Sequence, residues 1–284
     1  MCLPGTVETV REGIEAQHAS EPKKGLTRRA TFAGAGATAL AALLPTGASA
    51  HPRHGWSRKR YQDLTHVFTA GFPVYTGNPP SRRNLTTLEA DGFYKQEWTF
   101  DEHSGTHMDA PGHFIAGGRL TPELEPEELF APAAVIDISG RAAGDPDAEV
   151  EVDDLRRYER LYGRIARGAV VFMYSGWEER LPDPVAFKNA DAGGTYHFPG
   201  FGVDALGWLL ERREIRGIGV DTLSLDPGIS TTFTVHTDLL AADRYGLENV
   251  ANLSRIPARG AEVTVGVVPW EDGSGGPCRL LATY

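Results

Sequence analysis

The stretch HSGTHMDAPGHF, which runs from His103 to Phe114, contains three imidazoles and one carboxylate within eleven residues. Ring nitrogens and a carboxylate oxygen are the ligands that zinc, manganese and ferrous iron prefer, whereas magnesium and calcium sites are richer in oxygen. On a helix, Asp109 would lie about 240° around the axis from His103, whereas in an extended strand positions 103, 107 and 109 point the same way. If these three residues bind one ion, an extended segment with a turn at Gly105 is the better interpretation.

The same cluster also has a plainer interpretation, because the chain has 9 His in 284 residues and an isolated His is usually a hydrogen-bonded structural residue. Three imidazoles so close together, with Asp109 among them, favour a metal or catalytic role. Pro111 and Gly112 are expected to end the regular structure, so that His113 enters the site from the following turn. Ligand chemistry alone leaves open whether His113 is a fourth ligand.

The charge balance argues against partners with dense negative charge. The chain has 28 Lys and Arg against 38 Asp and Glu, a net charge of −10, whereas nucleic acids and anionic membranes attract clustered basic residues. A hydrophobic content of 41%, with 33 Gly and 19 Pro, is typical of a loop-rich globular protein. No apolar run after residue 50 is long enough to cross a bilayer. We expect a small-molecule substrate, no nucleic-acid partner and no membrane attachment of the mature chain.

The first fifty residues have the order of an export signal. Residues 27–32 read TRRATF and are followed by an uncharged apolar run over 33–44 and by small residues over 48–50. This order precedes a cleavage site, and paired arginines mark the twin-arginine route for folded proteins. We predict a signal over 1–50, a disordered basic segment over 51–60 and an exported domain over 61–284. An internal helix or anchor is the alternative, and the protein stays cytoplasmic if the signal is not used.

Apolar runs outline a sheet with helices between its strands. Continuous apolar runs are typical of strands buried on both faces, and three of them occur at 134–138, 169–174 and 217–221. Amphipathic or capped helices are expected over 152–161 and 203–213, with a short acidic helix over 122–129 and another helix from residue 237 or 238 to about 242. Further strands are expected over 84–88, 93–100, 263–268 and 278–283. Residues 182–201 are irregular and Gly-rich, which makes them a candidate lid. The pattern predicts an α/β protein.

Other residues carry weaker signals. The Pro- and Gly-rich loop over 71–80 presents Phe72 and Tyr75, which form either a substrate wall or ordinary packing. His197 lies in the candidate lid, where it contacts substrate or faces solvent. His66 is interpreted as structural. Residues 272–277, DGSGGP, are interpreted as a turn rather than a phosphate cradle, because the loop has no Lys and no helix follows it.

The motif H-x-G-T-H-x-D-x-P-x-H over 103–113 resembles the signature of the metal-dependent cyclase family, which includes bacterial kynurenine formamidases and isatin hydrolases. Further similarity lies in VDTLSLDP over 220–227, in His236 followed by Glu248, and in GSGGP over 273–277. Together these motifs extend over about residues 61–284. The resemblance implies a single α/β domain of the swivelling β/β/α type, with a central mixed β-barrel-like sheet flanked by helices. It also implies a homodimer or homotetramer.

The resemblance further implies one or two divalent ions, zinc or manganese, in each subunit. The implied ligands are His103, His107 and Asp109 for one ion, and Asp109, His236 and Glu248 for a second. His113 is then the general acid–base group. Formamidases commonly place Trp in a Pro-x-Trp-x-Gly setting where this chain has PVYTG over 73–77, so Tyr75 departs from that pattern by one ring type.

The expected reaction is hydrolysis of an amide, lactam or ester, as in arylformamidases and other enzymes of non-peptide carbon–nitrogen bonds. A divalent ion lowers the pKa of bound water to about 7, which makes water the nucleophile, and His113 moves the proton. Tyr75, Phe72 and His197 are the expected substrate contacts. The alternatives are a cyclase that closes or opens a ring in a secondary metabolite, and a metal- or ligand-binding protein without turnover.

Overall fold

The computed structural model describes residues 59–284, so the predicted signal and nearly all of the predicted basic segment lie outside the described residues. Within the described part, residues 84–97 form one compact unit, and Lys59–Arg83 together with Trp98–Tyr284 form a second. No helix among residues 59–284 has the length and apolar character needed to cross a membrane.

The described residues contain twelve β-strands and six α-helices. The strands are β1 (Tyr61–Asp63), β2 (Ser81–Thr86), β3 (Lys95–Thr99), β4 (His107–Asp109), β5 (Phe130–Asp137), β6 (Glu149–Val150), β7 (Val170–Tyr174), β8 (Gly200–Phe201), β9 (Gly217–Val220), β10 (Tyr245–Glu248), β11 (Arg259–Val267) and β12 (Gly275–Thr283). The helices are α1 (Leu88–Asp91), α2 (Ser139–Ala142), α3 (Val152–Tyr162), α4 (Pro184–Lys188), α5 (Val203–Arg212) and α6 (Thr234–Ala241). Residues 84–97 contain α1, which begins after the capping hydroxyl of Thr87 and ends at Gly92 in the left-handed region.

The main sheet closes on itself. Its strand order is β12-β11-β5-β7-β9-β10-β4, and β4 pairs in turn with β12. The strands β5, β7, β9 and β10 are mutually parallel, whereas β4, β11 and β12 make antiparallel pairs. Strand β12 completes the ring because its first residues pair with β4 and its later residues, from Cys278 to Thr283, pair with β11. This arrangement confirms the predicted mixed β-barrel-like sheet with helices around it.

Two apolar clusters occupy the two faces of this sheet. Alternate residues of β7 divide between them: Val170 and Phe172 belong to the inner cluster, and Val171 and Met173 to the cluster that packs against α3, α5 and α6. This alternation follows from the two-residue period of a strand. It confirms that the continuous apolar runs are strands buried on both faces.

Several elements differ from their sequence-based expectations. Helix α6 begins at Thr234 rather than at residue 237 or 238, so His236 lies on the helix. Strand β12 begins at Gly275, inside the stretch predicted to be a turn, because Gly275 and Gly276 pair with β4. A Cβ at Gly275 would lie 2.3 Å from the carbonyl oxygen of Met108, so only glycine permits this approach. Residues 122–129 form two 3₁₀ turns rather than a helix.

Candidate metal centre

Strand β4 carries the first part of the His and Asp cluster. It lies between β10 and β12, with His107 opposite both Glu248 and Pro277. Gly105, before the strand, has φ of 68°, and a Cβ there would lie 2.5 Å from the ring of Phe68. These observations confirm the predicted extended segment with a turn at Gly105. The 3₁₀ turn Pro111–His113 follows β4, also as expected.

The distant residues His236 and Glu248 meet this strand. Glu248 is the last residue of β10, and its side chain reaches within 3.3 Å of His107 Nε2. His236 lies in the first turn of α6, where the carboxylate of Asp226 accepts hydrogen bonds from the backbone N–H groups of Val235 and His236 at 2.9 and 3.0 Å. Asp226 therefore fixes the end of the helix that presents His236.

Asp109 lies between two groups of candidate ligand atoms. Its Oδ1 is 2.7 Å from His103 Nδ1 and 3.4 Å from His107 Nε2. Its Oδ2 is 3.6 Å from His236 Nε2, which in turn is 3.0 Å from Glu248 Oε1. In each of the two expected sets, one ligand atom per residue lies within 4.8 Å of the others. The structure thus brings together His103, His107 and Asp109, and also Asp109, His236 and Glu248.

Each of these three imidazoles has one nitrogen held from outside the cluster. The outer nitrogen of His107, Nδ1, is 2.9 Å from the carbonyl oxygen of Gly105. That of His236, Nδ1, is 2.6 Å from Asp226 Oδ2, and that of His103, Nε2, is 3.0 Å from Ser274 Oγ. When the outer nitrogen donates its proton, the lone pair of the inner nitrogen faces Asp109 and Glu248. Metal-ligating histidines show this arrangement.

The electrostatics of the cluster fit a cation. Burial opposes a charge on His107, but the hydrogen-bonding carboxylates of Asp109 and Glu248 raise the pKa of its imidazole to about 10. Burial likewise opposes ionisation of Asp109, yet the surrounding imidazoles hold the pKa of its carboxyl well below the usual range. Among the described residues, no group hydrogen-bonds to the buried Asp109 Oδ2. A nitrogen- and carboxylate-rich donor set with an unpartnered buried oxygen fits a divalent metal ion.

His113 lies beside the cluster without joining either ligand set. Its ring stacks on that of His103, with centroids 3.7 Å apart and an interplanar angle of 23°. Burial lowers the pKa of His113 to about 4, so the imidazole is neutral near pH 7. The ring is therefore in the form that accepts a proton.

A cavity of about 300 Å³ opens onto the cluster and onto His113. Aromatic side chains form its walls, since Tyr75 and Phe114 both pack against Phe233, at centroid distances of 5.6 and 5.9 Å. Ser224 and Asn249 also line the cavity, and within the described part of the chain neither Ser224 Oγ nor Asn249 Oδ1 has a hydrogen-bond partner. The lining of the cavity therefore combines aromatic and polar residues.

The other expected substrate contacts lie elsewhere. Phe72 is 2% exposed and belongs to the core beside His66, at a centroid distance of 6.1 Å, so its ring does not line the cavity. His197 is also outside the cavity lining, and its Nδ1 is 2.9 Å from the carboxylate of Asp147. The residue before it, Tyr196, donates its hydroxyl to the carbonyl oxygen of Tyr75 at 3.1 Å. The predicted lid, residues 182–201, thus contacts Tyr75 of the cavity wall without lining the cavity itself.

A model of the family described as "Putative cyclase" matches residues 62–227. The chain belongs to this family. It is 35% identical over 238 residues to an isatin hydrolase of Roseibium aggregatum, a match that covers 78% of this chain and 90% of the relative. A kynurenine formamidase of Erythrobacter litoralis is 25% identical over 227 residues, which cover 79% of this chain and 94% of the relative.

The structure of isatin hydrolase A from Ralstonia solanacearum superposes with a TM-score of 0.76 at 34% identity, covering 79% of this chain and 92% of that one. These relatives and the cluster of candidate ligands identify the cyclase-family chain as a metal-dependent hydrolase of carbon–nitrogen bonds other than peptide bonds. Its metal is a divalent ion.

Two residues that hydrogen-bond to candidate ligands of this cyclase-family chain, Asp226 and Ser274, were not identified as functional from the sequence. Asp226 lies in the 220–227 motif, but its contact with His236 depends on the packing of α6. Ser274 lies in the loop interpreted as a turn, and the pairing of Gly275 with β4 brings its hydroxyl to His103. Short polar residues of this kind are common in turns, so composition alone does not distinguish them.

Replacing Asp226 with Asn is expected to weaken metal binding at His236. The carboxylate that orients the imidazole would be lost, and the loss of such an outer partner typically lowers metal affinity by about 10–100-fold. Competition with a chromogenic zinc chelator measures the change. Asp238→Asn alters an exposed carboxylate on the same helix and serves as the matched control. Equal zinc affinity in Asp226→Asn and Asp238→Asn would show that Asp226 does not orient the ligand.

Proposed function

We propose that the protein hydrolyses a small lactam or aryl amide related to isatin, with His113 as the general acid–base group. The observation that carries this proposal is the aromatic cavity that ends on the cluster of His, Asp and Glu, with His113 in its wall. Similarity to isatin hydrolases at 34–35% identity supports the substrate class. The 25% identity to a kynurenine formamidase makes an open-chain formamide the weaker candidate.

The cavity suits a flat aromatic substrate. Its volume of about 300 Å³ is at the lower end for small-molecule sites, which span about 300–1,000 Å³. The rings of Tyr75, Phe114 and Phe233 provide apolar faces for a fused aromatic ring. Ser224 and Asn249 add polar residues to the lining, and a lactam carries a carbonyl and an N–H that polar groups recognise.

The chemistry divides between the ion and the side chains. When bound, a divalent ion polarises the amide carbonyl and lowers the pKa of a water molecule to about 7. His113 takes one proton from the attacking water and returns it to the amide nitrogen as the carbon–nitrogen bond breaks. The products are an amine and a carboxylic acid, which releases its remaining proton to solvent as it becomes a carboxylate. Asp226 and Ser274 hold the imidazoles of His236 and His103 in place throughout.

Hydrolysis assays on the purified protein test this proposal. After reconstitution with zinc or manganese, the protein is expected to open isatin, which the loss of its visible absorbance reports, and to prefer it to N-formylkynurenine. A chelator is expected to abolish turnover, and added metal to restore it. Preference for N-formylkynurenine would assign the protein to open-chain formamides. Failure of the reconstituted protein to hydrolyse any lactam or formamide would refute the proposal.

Further properties belong to the same proposal. We propose that two ions share Asp109, that the subunit assembles as a homodimer or homotetramer, and that a twin-arginine signal over 1–50 exports the folded domain of 61–284. Elemental analysis and light scattering measure the ion count and the oligomer. Cell fractionation tests export, since mature protein found only in the cytoplasm would contradict it.

A further inference from the structure

A chain of three polar groups leads outward from the cluster at His103. Glu102 Oε1 is 2.5 Å from Ser274 Oγ, and Ser274 Oγ is 3.0 Å from His103 Nε2. The direct distance from Glu102 Oε1 to His103 Nε2 is 3.7 Å, which is too long for a hydrogen bond. The carboxylate therefore reaches the imidazole through the hydroxyl of Ser274.

The direction of these hydrogen bonds follows from the chemistry of the groups. An ionised carboxylate only accepts, so the hydroxyl of Ser274 donates to Glu102. The oxygen of Ser274 is then free to accept the Nε2–H of His103. This leaves the lone pair of His103 on Nδ1, the atom that lies 2.7 Å from Asp109 Oδ1. The hydrogen bonds from His103 through Ser274 to Glu102 are called the relay. The relay selects the tautomer in which His103 can bind an ion together with Asp109.

The backbone places Ser274 independently of this hydrogen bond. The N–H of Ala110, next to Asp109, donates to the carbonyl oxygen of Ser274 at 2.9 Å. The following residue, Gly275, pairs with Asp109, and a Cβ at Gly275 would lie 2.5 Å from His103 Cε1. Gly275 and the stacked ring of His113 therefore both lie close to the imidazole. The hydroxyl of Ser274 adds a contact at Nε2, opposite in the ring to the contact of Nδ1 with Asp109.

The three candidate ligand imidazoles have different outer partners. His107 meets a neutral carbonyl, and His236 meets the carboxylate of Asp226 directly. For His103 the outer carboxylate is that of Glu102, which is linked to the imidazole through Ser274, and the Glu102 side chain is 40% exposed. The hydrogen-bonded link between this carboxylate and His103 therefore depends on one intervening hydroxyl.

We propose that Ser274 and Glu102 are positioning residues that set how tightly the ion at His103, His107 and Asp109 is held, and that Glu102 acts through Ser274. The inference rests on metal binding at these three residues and does not depend on the substrate. Failure of the metal-loaded parent protein to hydrolyse isatin would therefore concern the proposed function alone.

Release of zinc from the fully loaded protein into an excess of a chromogenic chelator tests the relay. Ser274→Ala is expected to release its ion about tenfold faster or more, the usual range for loss of an outer partner. Glu102→Gln is expected to accelerate the same phase, and the double variant to behave like Ser274→Ala alone, because Glu102 makes no direct hydrogen bond to His103. The mutant cycle isolates this coupling.

The controls separate positioning from general damage. Glu271→Gln changes an exposed carboxylate three residues from Ser274 and is expected to leave release unchanged. Metal-free Ser274→Ala is expected to unfold at the same temperature as the metal-free parent. Unchanged zinc release in Ser274→Ala would overturn the proposal. In the double variant, the increases in the rate of zinc release caused by Glu102→Gln and Ser274→Ala could instead simply multiply. That result would show that Glu102 acts on its own and would overturn the relay.

Discussion

Asp109→Ala is expected to abolish both retention of the divalent ion and amide hydrolysis. Asp109 is the one residue shared by the two sets of candidate ligands, with Oδ1 facing His103 and His107 and Oδ2 facing His236. Its removal leaves the buried imidazoles without the negative charge between them. The loss of metal affinity should exceed the roughly 100-fold upper range for an outer partner.

Elemental analysis after gel filtration measures retention by Asp109→Ala, and the isatin assay measures turnover. Asp109→Asn provides a control of nearly equal shape that removes the charge and keeps the volume, so it should also lose the ion while folding like the parent. An Asp109→Ala protein that kept its full metal content would show that the carboxylate is not a ligand.

His113→Ala is expected to remove turnover while the ion stays bound. The imidazole lies outside both ligand sets and stacks on His103 at 3.7 Å, where it lines the cavity. A positioned general acid–base group typically contributes about 10²–10⁴-fold to the rate, so kcat should fall by a factor in that range. Metal content and kcat are measured on the same preparation.

His107→Ala provides the comparison for His113→Ala, because His107 faces both Asp109 and Glu248 and should lose the ion on substitution. Loss of the ion from His113→Ala as readily as from His107→Ala would make His113 a ligand. The assignment of proton transfer to His113 would then be wrong.

Local sequence patterns predicted two features of the structure, the extended segment that carries the His and Asp cluster and the strands buried on both faces. The spacing of His103, His107 and Asp109 requires an extended backbone, and the structure has a strand there after a left-handed glycine. The apolar runs of β5, β7 and β9 became strands buried on both faces, because a continuous apolar run has no face suited to water.

Features that depend on distant pairing were not predictable from local patterns. The start of β12 at Gly275 is set by β4, which lies far away in the chain, rather than by the propensity of a Gly-rich stretch. For Phe72, in a Pro- and Gly-rich loop, the sequence left open a substrate wall or ordinary packing, and tertiary packing buries its ring in the core. The contact of Ser274 with His103 depends on the same strand pairing. These features depend on contacts that form only in the folded protein, so no short window of the sequence predicts them.

The position of β4 also bears on how the barrel is assembled. This three-residue strand joins β10 to β12, and both partners lie more than 100 residues later in the chain. Contacts between such distant segments carry the entropy cost of closing a long loop, and topologies rich in them fold slowly. Candidate ligands lie on both sides of this seam, His107 and Asp109 on β4 and Glu248 on β10. An ion bound to ligands on both strands would link β4 to β10. By mass action it would favour the closed barrel over any form in which β4 has separated from its neighbours.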